Sequence, residues 1–484
     1  MYAYNRYLLV MITFFLALMA LIAGYMFYGK FVEHVFGPTN HRTPALTKTD
    51  GVDFIPLPLW KIFMIQFLNI AGTGPIFGAI MGAKFGTSAY LWIVLGCIFA
   101  GATHDYLSGM LSVRNGGIGL PDIIGKYLGN RTKTIMLIFS VLLLVMVGAV
   151  FVYSPAIIMG GIVGDVEIWI AVIFIYYVIA TMMPIDRIIG KIYPLFAFAL
   201  MFMAAAMFVG LLIKMPDIPE IWEGIGNRNP KMGPIVPILF ITIACGAISG
   251  FHATQSPLMA RCMKHEKLGR PIFYGSMITE GIVALVWATV ASYFFYGGGA
   301  EELGAQTSAS APQIVNIVSR QWLGRLGAIL ALMGVVAAPI TSGDTALRSA
   351  RLIIADFIHL PQKPIRNRLL ICVPLFVVTS LILWFNIADE DGFNVIWNYF
   401  GWANQALSIF TLWALTVYLA QQRKPFYITL IPALFMTFVC STFLLISPIA
   451  FGIGNLISYG IGGCIVLVAI SWFSLWYHKD KTTR

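Results

Sequence analysis

The chain has 484 residues, of which 59% are hydrophobic and only 11% are charged, whereas soluble proteins carry about 25% charged residues. A soluble chain of this length would fold into several domains, and 31 Lys and Arg with 21 Asp and Glu are too few to cover their surfaces. Composition therefore excludes a soluble enzyme. The basic residues lie in short clusters between long apolar segments, so the net charge of +10 fits membrane-protein loops rather than nucleic-acid binding.

Apolar segments long enough to cross a bilayer dominate the sequence. A spanning helix needs ~20 largely apolar residues, and we predict thirteen such segments. The first, residues 7–31, is too long for a signal-peptide core and lacks a small-residue cleavage site, so we expect it to be retained. The others lie at residues 59–82, 86–111, 134–160, 166–183, 192–213, 233–250, 274–296, 323–342, 370–385, 393–419, 427–446 and 455–477. The predicted fold class is an all-α polytopic membrane protein.

The loops between these segments differ strongly in basic residues. One alternate set, which includes the C-terminal tail, contains 24 Lys and Arg, and the other set, which includes the N-terminus, contains 7. Because cytoplasmic loops are enriched in Lys and Arg, we predict an N-terminus outside and a C-terminus in the cytoplasm.

Two segments contain helix breakers at membrane depth. Residues 71–75 read Ala-Gly-Thr-Gly-Pro in the second segment, and the seventh contains Gly246 and Gly250 with Pro257 just beyond. Unwound backbone at this depth occurs only inside protein or beside a water-filled cavity, so we predict two broken helices. One such segment alone would fit close helix packing, but two in matching positions favour a binding site.

The two breakers also divide the chain into units. They open two sets of five segments, residues 59–214 and 233–420, which the charge count places in opposite orientations, and further helices follow in 427–484. This pattern is typical of a single-domain secondary transporter with a 5+5 inverted repeat. Its half-helix N-termini suit a carboxylate, and its freed carbonyls suit a cation.

Candidate substrate-binding residues lie around the predicted breaks. They are Asn69, Gly72, Thr73, Gly74, Gly246, Ser249 and His252. His252 is otherwise read as a hydrogen-bonded packing residue. Asn404 and Gln405, in the middle of the eleventh segment, are uncharged donors that either bind substrate or link helices.

The end of the ninth segment carries a polar helical face. Asp344, Arg348 and Arg351 follow the helical spacing i, i+4 and i+7, and Thr341 joins them one turn earlier, beside Ser342. One interpretation is an acid paired with arginines that anchor the helix end. The other makes Thr341 and Ser342 cation-coordinating hydroxyls and Asp344 a gate or proton carrier.

Three more ionisable residues lie in apolar segments. Glu280 is an acid in the otherwise uncharged eighth segment, where function is the default expectation, with a buried structural pair as the alternative. His104 and Asp105 are neighbours near the inner end of the third segment and form either a proton relay or an interfacial anchor.

Missing motifs argue against catalysis. The sequence has no P-loop, no His-Glu-x-x-His and no Gly-x-Ser-x-Gly, so we expect no ATP hydrolysis, metalloprotease or serine-hydrolase chemistry. The six cysteines are scattered without Cys-x-x-Cys and are interpreted as packing residues. We predict no metal or cofactor beyond a coupling H⁺ or Na⁺.

Several of these motifs resemble the carbon starvation protein family, CstA. The similar segments are residues 50–56, 71–78, 101–105, 114–117, 245–252 and 275–281, together with the Asp344, Arg348 and Arg351 spacing. The resemblance runs from about Leu59 to Gln405. It implies an amino acid/polyamine/organocation-type fold and a bacterial or archaeal inner-membrane importer of peptides during carbon starvation or, in some members, of pyruvate with protons. The chain is shorter than the long members of the family. Its sequence at residues 104–105 and 343–348 differs from the family pattern.

The sequence thus predicts a secondary importer of a small carboxylate-bearing solute, a short peptide or a 2-oxo acid such as pyruvate, driven by a cation gradient that we expect to be protons. Its partners are the substrate and the bilayer. The alternatives are a sodium-coupled amino-acid carrier and a nutrient-sensing receptor without transport, which the absence of a soluble signalling domain disfavours.

Overall fold

The computed structural model describes residues 11–49, 54–182, 189–361, 364–388, 392–448 and 450–483. Residues 7–10 of the first predicted segment and residues 50–53 of the first family motif lie outside the described residues. Within the described ranges the chain is helical and forms no β-strand, which confirms the all-α prediction.

Within the described ranges, sixteen helices of at least eight residues define the architecture. In chain order they are α1 Ile12–Phe36, α2 Leu59–Ile70, α3 Gly74–Ala83, α4 Ser88–Arg114, α5 Leu120–Leu128, α6 Asn130–Gly160, α7 Val166–Met182, α8 Ile189–Lys214, α9 Ile235–Thr242, α10 Gly250–Ala260, α11 Glu266–Tyr296, α12 Ala311–Phe357, α13 Ile365–Ala388, α14 Gly392–Gln421, α15 Tyr427–Ile446 and α16 Asn455–Thr483. Short turns at Pro44–Thr47, Ile221–Glu223, Pro230–Met232 and Gly299–Glu302 lie in the connections.

Ten helices in the described part of the chain are long and apolar enough to cross a membrane, and the bent pair α2–α3 raises that number to eleven. Two other predicted segments fall short by length. One is α7, whose apolar part is Val166–Thr181, and the other is the seventh segment, which the structure divides into α9 and α10. The count of thirteen stays a prediction.

Both predicted breaks are present in the backbone. Residues 71–73 are irregular between α2 and α3, and the two helices meet at 54°. The seven residues 243–249 separate α9 from α10. Gly72 and Gly246 therefore lie within the breaks, whereas Gly74 and Gly250 begin the half-helices that follow them.

The longest helix, α12, changes direction at one glycine. Gly324 has a φ of 65°, a left-handed conformation that residues with a Cβ rarely adopt. The membrane-spanning part of α12 begins just beyond it and runs over Gly327–Ala355. It extends past the predicted segment end at residue 342, so Asp344, Arg348 and Arg351 are helical and buried. Here α12 packs along α6, with Leu347 against Gly148.

Outer helices present apolar side chains to the surroundings. Trp384 of α13 is 68% exposed, and Leu456 and Trp472 of α16 are 85% and 75% exposed. Exposed apolar surface of this kind is stable in lipid and unstable in water. The chain is thus a multi-pass membrane protein.

Polar contacts fasten α1 at its beginning. The Glu220 carboxylate, 5% exposed, accepts hydrogen bonds from the backbone N–H groups of Ile12 at 2.9 Å and Thr13 at 2.7 Å, and from the Thr13 hydroxyl. The Thr13 hydroxyl oxygen accepts in turn from the Ile221 N–H at 2.9 Å. Glu220 therefore caps the N-terminus of α1 from the loop before α9, where a negative charge is favourable.

At its other end, α1 is fastened by Arg114. Its guanidinium donates to the carbonyls of Phe36 and Gly37 and to the Tyr418 hydroxyl, and it forms an ion pair with Glu266 at 3.3 Å. It also lies 3.9 Å from the centre of the Phe36 ring. These contacts satisfy the last carbonyls of α1 and join it to the ends of α4, α11 and α14.

Lys424, between α14 and α15, reinforces the same helix end. Its ammonium donates to the Phe36 carbonyl at 2.5 Å. Partial burial lowers the pKa of Lys424, and the positive charge of Arg114 lowers it further. Two cations therefore bind one helix C-terminus, where the partial negative charge favours them.

Glu220→Ala removes the carboxylate cap from α1. We expect the free energy of unfolding to fall by about 1–3 kcal/mol, because two buried N–H groups lose a charged acceptor. Thermal unfolding of the purified protein in detergent measures the change. Glu223→Ala, which removes a half-exposed acid paired with Arg228, is the matched control and should change it by less than about 1 kcal/mol. Equal melting temperatures for both variants would contradict the capping role.

Candidate functional site

The two breaks lie against each other in the interior. A Cβ placed on Gly74 would be 2.3 Å from the Cys245 Cβ, and one on Gly246 would be 3.7 Å from the Pro75 Cα. All residues in the ranges 71–83 and 241–250 are buried. Neither break therefore faces lipid, as unwound backbone at membrane depth requires.

Side chains from neighbouring helices satisfy the second break. The Asn404 Oδ1 accepts from the Ser249 hydroxyl at 2.9 Å and from the Phe251 N–H at 2.8 Å, so Asn404 caps the first turn of α10. The Gln405 amide donates to the Phe240 carbonyl at 3.0 Å, in the last turn of α9. Of the two sequence interpretations, these contacts favour helix linkage for Asn404 and Gln405.

The first break retains unused polar groups. Ser342 of α12 lies beside it, with its Oγ 3.6 Å from a Cβ placed on Gly72. The hydroxyls of Ser342 and Thr73 are buried and have no hydrogen-bond partner in the described part of the chain. The Thr341 hydroxyl, in contrast, donates to the Ala337 and Ala338 carbonyls of its own helix. Ser342, rather than Thr341, thus has a hydroxyl available at this break.

Sequence reasoning missed one residue of this region. Gln66 of α2 is fully buried, and both polar atoms of its amide lack a partner. Asn69, which was predicted, lies one turn further on and is 4% exposed. The available signal was a second amide at i−3 in an otherwise apolar segment, since helix positions three apart share a face.

Asp344, Arg348 and Arg351 form an anchor at the end of α7. Arg348 lies 3.4 Å from the Asp344 Oδ1 and donates to the Ala180 carbonyl at 2.6 Å, and Arg351 donates to the Thr181 carbonyl at 2.9 Å. Arginines near the last carbonyls of a helix stabilise its end. These contacts favour the anchoring interpretation of the three residues.

The other ionisable residues that the sequence analysis selected lie close together. Asp105 is fully buried, and its Oδ1 and Oδ2 lie 2.8 Å from the Nδ1 atoms of His104 and His252 respectively. The His252 Nε2 lies 3.5 Å from the Glu280 Oε2. We call these four residues, all 0% exposed, the buried acid–histidine cluster. It joins α4, α10 and α11.

Part of this cluster is unsatisfied. Among the residues that the structure describes, neither Glu280 oxygen has a hydrogen-bond partner, and neither does the Nε2 of His104 or of His252. Among the described residues, no group of three or more His, Cys, Asp and Glu has the arrangement of a metal site. The chemistry that such a carboxylate–imidazole chain offers is the binding and transfer of protons.

Two cavities lie on either side of this interior. One, of about 720 Å³, is lined by residues of α5, α6, α10 and α12 that include Lys133, Thr254 and Arg261. The other, of about 620 Å³, is lined by residues of α3, α6, α7 and α12 that include Tyr153 and Glu167. They lie at opposite ends of α6, and neither is lined by a residue of either break.

The fold is similar to those of solved membrane transporters. A manganese transporter of Eremococcus coleocola superposes with a TM-score of 0.58 at 13% identity, over 89% of this chain and 98% of that one. A Na⁺-coupled sialic acid symporter in an outward-open state superposes with a TM-score of 0.55 at 13% identity, over 94% and 95%. At this identity the likeness concerns the fold alone.

The sequence profile of the carbon starvation protein CstA matches residues 9–158, 153–318 and 295–443. The chain belongs to the CstA family, as its motifs predicted.

Curated relatives agree with this assignment. An uncharacterized membrane protein of Haemophilus influenzae is 45% identical over 59% of this chain and 91% of its own length. The peptide transporter CstA of Campylobacter jejuni is 27% identical over 85% and 76%. The pyruvate/proton symporter BtsT of Escherichia coli is 26% identical over 56% of this chain and 47% of its own length.

Gly74→Ala tests the contact between the breaks. Because the new Cβ would overlap the Cys245 side chain, we expect a loss of about 1–3 kcal/mol of stability from overpacking. Cys245→Gly in the same chain removes the obstructing atoms and should restore more than half of the loss, as measured by thermal unfolding in detergent. If Cys245→Gly makes the Gly74→Ala protein no more stable, the two breaks are not in contact.

Proposed function

We propose that this protein is a secondary active transporter that imports a small carboxylate-bearing nutrient, a short peptide or pyruvate, with the proton as coupling ion. The observation that carries the proposal is the contact between two broken helices in the interior, at Gly74 and Cys245. Broken helices that meet at membrane depth form the substrate and ion sites of inverted-repeat transporters. The names of the CstA relatives point to the same substrates.

The helix order supports a 5+5 inverted repeat within thirteen spans. The first unit is the broken pair α2–α3 followed by α4, α6, α7 and α8, and the second is the broken pair α9–α10 followed by α11, α12, α13 and α14. Each unit thus opens with a broken helix and continues with four further helices. In the membrane the N-terminus would be outside and the C-terminus cytoplasmic, as the loop charges predict.

The first break is the proposed place of the substrate carboxylate. At the second break, the Asn404 Oδ1 already accepts from the Phe251 N–H, whereas the Thr73 hydroxyl beside Gly74 is unused. The N-terminus of α3 therefore offers a free hydroxyl donor and the positive end of a helix dipole. Gln66, Asn69 and Ser342 line the same region and are proposed to hold the rest of the solute.

Access to this site would come through the two cavities. The cavity with Lys133 and Arg261 lies at the end that the charge count predicts to be cytoplasmic, and the cavity with Glu167 lies at the other end. Since neither cavity reaches the breaks, transport requires one and then the other to extend inward, which is alternating access around a fixed site.

Two ion sites compete in this proposal. The buried acid–histidine cluster favours protons, since its unpaired acid and imidazole atoms lie at membrane depth. Sodium would instead use the Ser342 hydroxyl with carbonyls of residues 71–73. The alternative functions are a sodium-coupled amino-acid carrier and a sensor that does not transport. The following experiment distinguishes both from our proposal.

Uptake into proteoliposomes tests the function. We expect labelled pyruvate or a dipeptide to accumulate under an inward proton gradient and not under a sodium gradient alone. Gly72→Val should abolish uptake and substrate binding, because a side chain there meets the Phe151 ring and approaches Ser342. Gly463→Val, where no atom lies within 4 Å of the added Cβ, is the matched control and should transport normally.

Three results would contradict this proposal. Sodium-driven uptake that ignores pH would shift the assignment to the sodium carrier. Binding without accumulation under either gradient would favour a sensor. Normal affinity in a correctly inserted Gly72→Val protein would remove the substrate from the first break.

Asp344→Asn tests the anchor against a coupling role. We expect the variant to lose about 2 kcal/mol of stability, because a buried arginine loses its charged partner. Gradient-driven uptake and gradient-free exchange should then decline in parallel for a given amount of protein, and both should stay unchanged per folded molecule, which a binding assay counts. A stable variant that keeps exchange but no longer concentrates substrate would instead make Asp344 a proton carrier.

A further inference from the structure

We infer that His252 and Glu280 hold one exchangeable proton between them, and that His104 and Asp105 position this site without carrying the proton themselves. The inference rests on the proposed function, since it locates the coupling proton of the transport cycle. It assigns different tasks to four residues that are equally buried, and the assignment follows from which nitrogen atom faces which oxygen atom.

Asp105 fixes the orientation of both histidines. Each of its oxygens lies 2.8 Å from an imidazole Nδ1. An ionised carboxylate only accepts hydrogen bonds, so both contacts are satisfied together when Asp105 is ionised and each Nδ1 carries hydrogen. A protonated Asp105 would instead donate to one Nδ1 and accept from the other, which places the hydrogen of one histidine on Nε2. With Asp105 ionised, the second nitrogen, Nε2, is the basic atom of each neutral imidazole.

This tautomer creates a proton site at Glu280. The basic Nε2 of His252 faces the Glu280 Oε2 at 3.5 Å. Without a proton, a lone pair would face a carboxylate in a fully buried place, where such an arrangement is costly. One proton between the two atoms gives either a neutral carboxylic acid beside imidazole or an imidazolium beside carboxylate, and both are favourable.

The surroundings supply no permanent counter-charge. In the described part of the chain, the ion pairs of Asp105 and Glu280 involve histidines only. The Asp105 carboxylate also acts on Glu280, and Glu280 in turn acts on the thiols of Cys97 on α4 and Cys245 in the second break. Asp344 offers the contrast, because Arg348 accompanies it. The charge of Glu280 can thus be balanced only by a mobile ion, and the adjoining imidazole makes that ion a proton.

The site is next to the second break. His252 lies in the first turn of α10, two residues after Gly250. Glu280 lies one turn before Ala284, whose Cβ would be 2.7 Å from a Cβ on Gly246. Gain or loss of the proton therefore changes the attraction between α10 and α11 where the break is packed. A proton bound there and a substrate bound at the first break would favour the same arrangement, which is the requirement for coupling.

Infrared difference spectroscopy tests the site without any substrate. Spectra of the reconstituted protein recorded across a pH titration should show the carbonyl band of a protonated carboxyl group or the bands of an imidazolium. Glu280→Gln and His252→Asn should each remove this signal, and Glu301→Gln, which removes an exposed acid, should leave it. A signal that survives both cluster variants would overturn the inference whatever the protein transports.

Transport assays separate the carriers from the positioning pair. In wild type, substrate affinity should fall by roughly 5–150-fold as pH rises through the titration of the site, the usual range of coupling between two ligands. Glu280→Gln should make affinity independent of pH and abolish accumulation under a proton gradient, while counterflow exchange continues. Wild-type uptake without any proton dependence would contradict the proposed function, but the infrared result would still decide the proton site.

The two histidines allow a matched comparison. The side-chain amide nitrogen of Asn occupies the place of Nδ1, and Asn has no atom at the place of Nε2. His104→Asn should therefore keep the hydrogen bond to Asp105 and most proton-driven uptake, whereas His104→Ala should shift its pH dependence. His252→Asn keeps the same bond but should lose accumulation. Equal effects of His104→Asn and His252→Asn would show that the histidines act alike and would overturn the division of tasks.

Discussion

The need to satisfy backbone hydrogen-bonding groups at membrane depth governs this structure. Each break leaves N–H and C=O groups without helical partners, and no water is available in the hydrocarbon to replace them. The second break obtains its partners from side chains, with Asn404 at one edge and Gln405 at the other. The Trp92 indole donates to the Ile243 carbonyl at 2.9 Å between them. These hydrogen bonds hold helix α14 against the break. The packing of the interior follows from the position of α14.

The same constraint distinguishes the two breaks. The second is closed by the side chains of α14, whereas the first keeps the free hydroxyls of Thr73 and Ser342 and the free amide of Gln66. A buried polar group without a partner costs about 1–3 kcal/mol. Several in one place indicate that something else supplies their hydrogen bonds in part of the working cycle, which is why we place the solute there.

Buried charges follow a parallel division. Asp344 has an arginine partner and helix carbonyls nearby, a set that is stable at any physiological pH because arginine keeps its charge. Among the described residues, the ion-pair partner of Glu280 is a histidine, and the charge of histidine changes in the physiological range. Two acids that look alike in a hydropathy profile are therefore expected to have different roles. Asp344 is expected to be structural, and Glu280 is expected to respond to pH.

The sequence predicted the features that depend on local chemistry. The Gly and Pro residues at 72–75 and 246–257 marked the breaks to within a few residues, because their effect on the backbone is local. The family motifs marked the relationship to CstA. Eleven of the thirteen predicted apolar segments correspond to helices, or to a bent helix pair, long enough to cross a membrane. The exceptions are α7, which is too short, and the seventh segment, whose halves are eight and eleven residues long.

Features that depend on how helices assemble were not predicted. His104, Asp105, His252 and Glu280 were each noted, but nothing in their spacing indicated that residues up to 176 positions apart form one chain of contacts. The roles of Asn404, Arg348 and Arg351 were ambiguous for the same reason, since the carbonyls and N–H groups that they bind belong to other helices.

Helix α1 belongs to neither of the two proposed five-helix units, yet it is bound at both ends. Glu220, from the connection between the units, binds its beginning, and Arg114 of the first unit and Lys424, from the connection after the second unit, bind its last carbonyls. In the proposed transport cycle, a tilt of one unit against the other would carry this helix along or break charged hydrogen bonds at one of its ends. The helix would thus act as a brace that limits how far the units rock.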